Sequence, residues 1–351
     1  MPKRIVIMAG GTGGHVFPAL AVAQSLQEKG WAVSWLGTQK GLESRVIPEQ
    51  GIEIDWLSVA GVRGKGLLSK VSAVLLLVKA CFQAVSLLRK RKPDVVLGMG
   101  GFVAGPGGLM AKLLGIPLVI HEQNRVPGTT NRLLARIANR VLEAFPKSFN
   151  GKLQAQCTGN PLRKPFLNLP ERAVKPAGQP LNILVVGGSQ GAQILNEVVP
   201  EAIALLANVA VIHQTGAVMV EQVREHYQRL GVNAEVQAFI EEMIVVYQWA
   251  DLVICRAGAM TVSEVAACGI PAIFIPLPSA IDDHQTANAR YLTDANAASI
   301  LMQKDLNPQS LAEQITKISP QIAELGQSAK QCARLDATEA VATICIAEAK
   351  P

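Results

Sequence analysis

Short apolar runs alternate with longer stretches of helical periodicity along the whole chain. The runs fall at 4–9, 32–37, 94–98, 116–121 and 140–144, and then at 181–187, 208–213, 234–239, 250–255 and 271–277. Strands that are apolar on both faces and separated by helix-length segments predict parallel sheets covered by helices, an α/β fold. The stretch 168–180 breaks the rhythm with Pro170, Pro176, Gly178 and Pro180 and reads as a linker. The expected organisation is a first domain over 1–164, a second over 165–335 and a C-terminal helix within 336–351, for which packing back on the first domain is one option.

One device opens both halves. Ile5-Val6-Ile7-Met8-Ala9 runs into Gly10-Gly11-Thr12-Gly13-Gly14-His15, and Ile183-Leu184-Val185-Val186 runs into Gly187-Gly188-Ser189-Gln190-Gly191. A strand that turns through glycines into a helix leaves backbone N–H groups at the positive end of the helix dipole, where an anion binds. Two such turns predict two similar domains facing a shared cleft. Neither turn is a dinucleotide fingerprint or a P-loop: Val16 stands where the third glycine would be, and no Gly-Lys-Ser/Thr follows.

The segment 61–93 departs from the pattern. It carries Arg63, Lys65, Lys70, Lys79, Arg89, Lys90, Arg91 and Lys92 with no acid before Asp94, and 71–88 inside it is almost wholly apolar. Ser72, Lys79, Gln83, Ser86 and Lys90 share one narrow stripe of a helix. Lys79 near the middle argues against a transmembrane span, leaving a core helix or an interfacial membrane helix; the acid-free basic flank favours the membrane surface. Composition agrees: 49% of residues are hydrophobic, 17% are charged and mean hydropathy is +0.26, apolar enough for membrane contact. The net charge of +6 hides an asymmetry, since 1–160 is net +12 and the remainder net −6. The basic half calls for an anionic partner, and only 4% aromatic residues argue against stacking on nucleic acid. Six dispersed cysteines without a C-x-x-C pair, and an apolar stretch after Arg4 that ends at Gly10, point to a reducing, cytosolic setting.

His15 is a candidate general base, with helix capping as the alternative. Gly187-Gly188-Ser189-Gln190-Gly191 fits the G-x-S-x-G nucleophile elbow, with Asp251 and His284 in the order a hydrolase needs; the other reading makes Ser189 a phosphate-binding hydroxyl. After the run ending at Cys255 come Arg256, able to neutralise a diphosphate, Gly258, and a helix start at Ala259-Met260-Thr261-Val262-Ser263-Glu264, whose acid suits ribose hydroxyls. An Arg–Glu surface pair is the alternative there. Asp282-Asp283-His284-Gln285 lies at the same sheet edge; adjacent carboxylates point apart, so no metal is expected. Gly98 to Pro106 and His121-Glu122-Gln123-Asn124 sit at the first domain's edge, where the glycines would admit a bulky ligand, Asn124 would bond a sugar hydroxyl, and His121 and Glu122 either act or pack the loop.

The ordered set GGTGGH, RGKG, GMGGFVAGP, HEQN, PGTTNR, GNPLR, GGSQGA, RAGAMTVSE and DHQTANA, spanning residue 10 to about 290, resembles the MurG family of bacterial N-acetylglucosaminyltransferases. The resemblance implies a GT-B fold of two Rossmann-like domains and inverting, metal-independent transfer without a cofactor. The donor would be UDP-N-acetylglucosamine. The acceptor would be the 4-hydroxyl of lipid I, undecaprenyl-pyrophosphoryl-MurNAc-pentapeptide, and the product lipid II of peptidoglycan synthesis. It implies Thr12, Gly13, Gly14 and Asn124 near donor sugar and acceptor, and His15 as the base with Glu122 as competitor. Around UDP it implies Arg163, Ser189, Phe239, Ile240 through its backbone on uracil, Met243, Arg256, Ala259 to Glu264 and Gln285. It also implies a peripheral place on the cytoplasmic face of the inner membrane, anionic-surface contact through 61–92, and wall-synthesis proteins as partners. A UDP-sugar epimerase of the same fold, a serine hydrolase through Ser189, and a non-catalytic UDP-sugar- or lipid-binding protein are the alternatives.

Overall fold

The computed structural model describes residues 2–59, 67–170, 175, 178–188 and 190–351, with 67–73 as backbone path alone. Ser189, the residues Arg63 and Lys65 of the basic segment, and 171–174, 176 and 177 of the expected linker lie outside the described residues. The chain divides into two compact units, 1–163 with 334–351, and 164–333.

The first unit runs β1 (Arg4–Met8), α1 (Gly13–Glu28), β2 (Ala32–Gly37), α2 (Glu43–Glu49), β3 (Glu53–Trp56), α3 (Leu67–Arg91), β4 (Val95–Gly98), α4 (Ala104–Leu113), β5 (Leu118–Glu122), α5 (Thr129–Leu134), β6 (Arg140–Glu143) and β7 (Gln156–Cys157). Its sheet has the order β3-β2-β1-β4-β5-β6-β7, and every pairing is parallel. The second unit runs β8 (Leu181–Val186), α6 (Gln193–Ala204), β9 (Val209–Gln214), α7 (Val220–Arg229), β10 (Ala234–Gln237), α8 (Met243–Trp249), β11 (Leu252–Cys255), α9 (Ala259–Cys268), β12 (Ala272–Phe274), α10 (His284–Thr293), β13 (Ala298–Ile300), α11 (Pro308–Ile318) and α12 (Ile322–Gln331). Its parallel order is β10-β9-β8-β11-β12-β13. Both are doubly wound sheets, and in both the strand order reverses beside the strand that precedes the glycine turn. That reversal opens a crevice at the carboxyl ends of β1 and β4, and of β8 and β11, where such folds take their ligands.

The central strands bury their apolar residues: Ile5, Ile7, Val95, Leu97 and Val119 in one unit, Ile183, Val185, Leu252, Ile254 and Ile273 in the other. The last helix, α13 (Ala337–Glu348), belongs to the first unit. Its Val341, Ala342 and Cys345 are fully buried in the cluster that holds Leu20 and Ala23 of α1, and Thr338 Oγ1 donates to the Leu162 carbonyl at 3.1 Å. Residues four apart on a helix share a face, and Ala80, Ala84 and Leu88 form the buried face of α3. Gln83, expected on the polar stripe, instead turns inward: its Oε1 accepts from Ser58 N at 2.9 Å and its Nε2 donates to Ser58 Oγ at 3.2 Å. Leu75 and Phe82, seven positions apart on another face of α3, are 65% and 73% exposed. No helix among the described residues is long and apolar enough to cross a membrane.

Candidate functional site

In the first unit α1 starts at Gly13, behind Thr12 as its N-cap, so His15 stands in the first helical turn, with its amide bonded to the Thr12 carbonyl at 3.1 Å. Thr12 is exposed, and Gly13, Gly14 and His15 are half-buried. A Cβ on Gly13 would lie 2.9 Å from the Phe17 ring, so this glycine lets Phe17 pack under the turn. The Arg163 guanidinium lies over the same ring, 5.4 Å from its centre, within the first unit. The glycine loop rests on Glu43, a fully buried carboxylate that sequence reasoning missed, which accepts from Gly11 N (2.9 Å), Thr38 N (2.8 Å) and Thr38 Oγ1 (2.7 Å).

The glycines of 98–106 were expected to make room for ligand, and two of them instead make room for the first loop. A Cβ on Gly100 would meet the His15 ring at 2.9 Å, and one on Gly101 would meet the Gly10 carbonyl oxygen at 2.4 Å; both have φ values, +96° and +79°, that side chains rarely adopt. The strand β5 then delivers His121, Glu122 and Gln123, all at most 1% exposed. Glu122 is saturated within its own loop, accepting from Asn124 N (2.9 Å), Asn124 Nδ2 (3.2 Å), Gly128 N (3.0 Å) and Asn131 Nδ2 (2.9 Å). Its geometry is that of a loop organiser, whereas His15 is only half-buried. Gln123, which the sequence places in the HEQN run without a role of its own, links His15 and His121: Oε1 lies 2.7 Å from His15 Nδ1 and Nε2 3.0 Å from His121 Nδ1.

In the second unit the turn after β8 is held by close backbone contacts. A Cβ on Gly187 would lie 2.4 Å from Ala192 N, and one on Gly191 only 1.8 Å from the Thr215 carbonyl oxygen. Beside this turn a cleft of about 640 Å³ is lined by Gly187, Gly188, Gly191, Arg256, Thr261 and Gln285, among others. Arg256 is half-buried, and its partners are three neutral oxygens: Ile275 O (2.9 Å), Pro276 O (3.2 Å) and Gln303 Oε1 (2.8 Å). Burial pulls its pKa below the ordinary arginine value, yet guanidinium keeps its proton in proteins. A fixed cation with neutral neighbours at a cleft wall is a place for an anion. The Arg–Glu pair is not formed.

Helix α9 begins beyond Gly258 (ψ 144°), directly after Arg256 and Ala257. Ala259 and Val262 point into the core, so each offers backbone alone, while Met260, Thr261, Ser263 and Glu264 are partly buried. Tyr247 OH donates to Glu264 Oε2 at 3.4 Å, and burial, then Glu264, holds the phenol well above its usual pKa, so it remains a donor. Gln285 Oε1 accepts from Leu277 N at 3.0 Å. Phe239, 57% exposed, and the buried Ile240 line a second hollow of about 610 Å³, with Met243 partly buried at the start of α8. Gln214, which sequence reasoning also missed, ties the two regions: Nε2 donates to the Gly188 carbonyl and Oε1 accepts from Ile240 N, each at 2.9 Å. The Asp251–His284 pair that a hydrolase needs is not formed. Asp251 lies at the amino end of β11, bonded to Lys175 Nζ (2.5 Å) and Asn182 N (2.9 Å), whereas His284 opens α10 beyond the carboxyl edge and bonds the Ile281 carbonyl at 2.8 Å. Among the described residues, no group of three His, Cys, Asp or Glu side chains is gathered as a metal site.

Each unit contains one buried neutral histidine. Burial lowers His121 to about 4 and His213 to about 3, from the ordinary 6.5. Unfolded, both take up a proton below 6.5; folded, they resist it, so stability is full above 6.5 and falls as pH drops toward the folded values. From pH 7 to pH 5 each is expected to cost about 2 kcal/mol. Thermal denaturation at constant ionic strength should show lower transitions at pH 5, with NMR showing both imidazoles still neutral there; unchanged melting, or histidines that protonate near 6.5 in the folded protein, would contradict this.

The comparisons with known proteins agree with this arrangement. Residues 5–143 match the glycosyltransferase family 28 N-terminal domain and 182–344 the family 28 C-terminal domain. The chain is 57% identical, over 99% of both chains, to a UDP-N-acetylglucosamine--N-acetylmuramyl-(pentapeptide) pyrophosphoryl-undecaprenol N-acetylglucosamine transferase from Methylococcus capsulatus. It is 48% identical to the transferase of the same name from a Shewanella species, over 99% of this chain and 98% of the relative. Among solved structures it is similar to Acinetobacter baumannii MurG, with a TM-score of 0.87 and 44% identity over 99% of this chain and 100% of that one. With its two halves matched in order by the family's two domains, and with full-length relatives well above 30% identity, the chain belongs to glycosyltransferase family 28.

Proposed function

We propose that this protein transfers N-acetylglucosamine from UDP-N-acetylglucosamine to the 4-hydroxyl of the N-acetylmuramyl-pentapeptide on undecaprenyl pyrophosphate, lipid I, to form the lipid II used in peptidoglycan synthesis. The observation that carries this reading is the 57% identity, over 99% of both chains, to a transferase named for that reaction. The residue roles rest on geometry and on the family motifs.

The chemistry divides between the units. In the second unit, UDP lies along the cleft with its diphosphate against Arg256, the glycine turn with Ser189, Thr261, Gln285 and the start of α9. Glu264, oriented by Tyr247, takes the ribose hydroxyls; Phe239, Ile240 and Met243 border the uracil, and a uracil bonded to the Ile240 amide competes there with Gln214 Oε1. In the first unit, His15 is the general base. Thr12, Gly13, Gly14 and Asn124 contact donor sugar and acceptor, and Arg163 completes the donor contacts. The acceptor oxygen attacks the anomeric carbon as its proton passes to His15, the bond to the diphosphate oxygen breaks with inversion, and the electron pair leaves on UDP. Fixed dipoles and the Arg256 charge stabilise that leaving group, the task a metal performs elsewhere, so no metal is needed. The exposed apolar residues of α3, Leu75 and Phe82, and the basic residues Arg89 and Lys92 lie on the anionic membrane surface, on its cytoplasmic side, whereas Arg91 is held by Asp55 and Glu53 of the first unit.

One experiment tests the reading: labelled UDP-N-acetylglucosamine is incubated with a lipid I analogue in vesicles containing anionic lipid, and separately with a water-soluble analogue, in excess chelator. Sugar should appear on both acceptors. F82E should lower transfer to the vesicle-borne acceptor while leaving the soluble one unchanged. Consumption of donor without an acceptor, or no labelled lipid, overturns the function; activity lost to chelator and restored by a divalent ion overturns metal independence.

A further inference from the structure

We infer that His121, Gln123 and the Gly159 carbonyl hold His15 as the tautomer protonated at Nδ1, leaving Nε2 as the atom that takes the acceptor's proton. The inference rests on the reading of His15 as the base, and the chain of hydrogen bonds fixes which nitrogen does the work.

The assignment starts at its buried end. His121 is fully buried, and its Nε2 lies 2.9 Å from the Gly159 carbonyl oxygen. A carbonyl only accepts, so Nε2 carries a hydrogen. Burial keeps the ring neutral at ordinary pH, with a pKa of about 4, so it has only that one proton and Nδ1 is a bare acceptor. The Gln123 amide nitrogen lies 3.0 Å from this Nδ1 and 3.1 Å from the His121 carbonyl oxygen. Both are acceptors, so the NH₂ end must face them; the flipped amide would set its oxygen against two lone pairs in a buried site and lose both donor bonds to His121. Oε1 therefore points the other way, 2.7 Å from His15 Nδ1. Because Oε1 cannot donate, His15 Nδ1 must. Two histidines in opposite tautomers are thus joined through one amide.

The surroundings keep the amide where it is. Asn131 Nδ2 donates to the His121 carbonyl at 3.1 Å and Asn160 Nδ2 to the Gln123 carbonyl at 3.2 Å, fixing the backbone on both sides. Gly100 leaves no Cβ to push the His15 ring off Oε1. On transfer, Nε2 gains the hydroxyl proton while Nδ1–H stays on Gln123. The resulting imidazolium is met by an amide oxygen already aimed at it, so Gln123 is a positioning residue for the reaction.

Nitrogen-15 correlation spectra of the full-length protein labelled at its five histidines test this without any activity measurement. H15Q identifies the His15 signals. The wild type should show His15 protonated at Nδ1 and bare at Nε2, and His121 the reverse. Q123M, which removes both halves of the amide, should move proton onto His15 Nε2 and lower kcat by ~10-fold or more; Q123E, which keeps one oxygen toward His15 and sets the other against His121 Nδ1, should retain the His15 Nδ1–H and draw a proton onto His121 Nδ1. A wild-type His15 protonated at Nε2, or a tautomer unchanged in Q123M, overturns the inference. If Q123M does not fold, the wild-type and Q123E spectra decide. Should H15Q keep its turnover, the base reading fails while the tautomer assignment is judged on the spectra alone.

Discussion

Replacing His15 by glutamine is expected to lower kcat by about 10²–10⁴-fold, a barrier increase of about 3–5 kcal/mol, with the KM for UDP-N-acetylglucosamine nearly unchanged. Glutamine fills much the same space and still hydrogen-bonds, but it has no nitrogen that accepts a proton. A sugar hydroxyl is a poor nucleophile until its proton has somewhere to go. On the proposed function the effect belongs in kcat, because His15 stands in the first unit while Arg256, Thr261 and Gln285, the residues proposed for the diphosphate, line the cleft of the second. Of the neighbouring candidates, Glu122 already accepts four hydrogen bonds within its own loop, and His121 is fully buried. Single-turnover rates of H15Q with saturating donor, and its melting temperature, check the expectation. A loss under ~10-fold in a normally folded variant would move the base elsewhere.

Much of the fold was legible in the chain because buried parallel strands leave continuous apolar runs, which polar periodicity does not imitate. The strands that escaped notice are those without such a run: β3 reads Glu-Ile-Asp-Trp, β7 has two residues, and β13 reads Ala-Ser-Ile. Each lies at a sheet margin, where packing on a neighbour, and no local signal, makes the strand. The candidate site was legible where glycine turns announce themselves, and illegible where residues distant in sequence meet. Nothing near Gln123 marks it as the link between His15, 108 positions away, and His121. Nothing near Gly100 says that its missing side chain is filled by a histidine ring, since a glycine records a close approach without naming what approaches. Gln214 and Glu43 were missed for the same reason: a buried polar group's partners come from topology.

Arg256 is where that topology has the largest consequence for the donor. In R256M, UDP affinity is expected to fall about 10²–10³-fold, roughly 3–4 kcal/mol, with kcat for transfer lowered as well, because in the proposed function the cation serves both the bound diphosphate and the charge that develops as UDP departs. Among the described residues the wild-type guanidinium hydrogen-bonds to the Ile275 and Pro276 carbonyls and the Gln303 amide oxygen and pairs with no carboxylate, so none has to be displaced before an anion binds. Its contribution should depend on the number of phosphates. Calorimetry with uridine, UMP and UDP separates the terms: uridine affinity should be the same in wild type and R256M, whereas the step from UMP to UDP should be large in the wild type and nearly absent in the variant. R256K restores the charge without the planar fork, and should recover part of the UDP affinity but not the three hydrogen bonds, since a lysine's three donors do not match oxygens fixed for a guanidinium. Equal losses for uridine and UDP would mean that Arg256 only holds Ile275, Pro276 and Gln303 in place, and the diphosphate would then have to be bound by the glycine turn and the amino end of α9 without it.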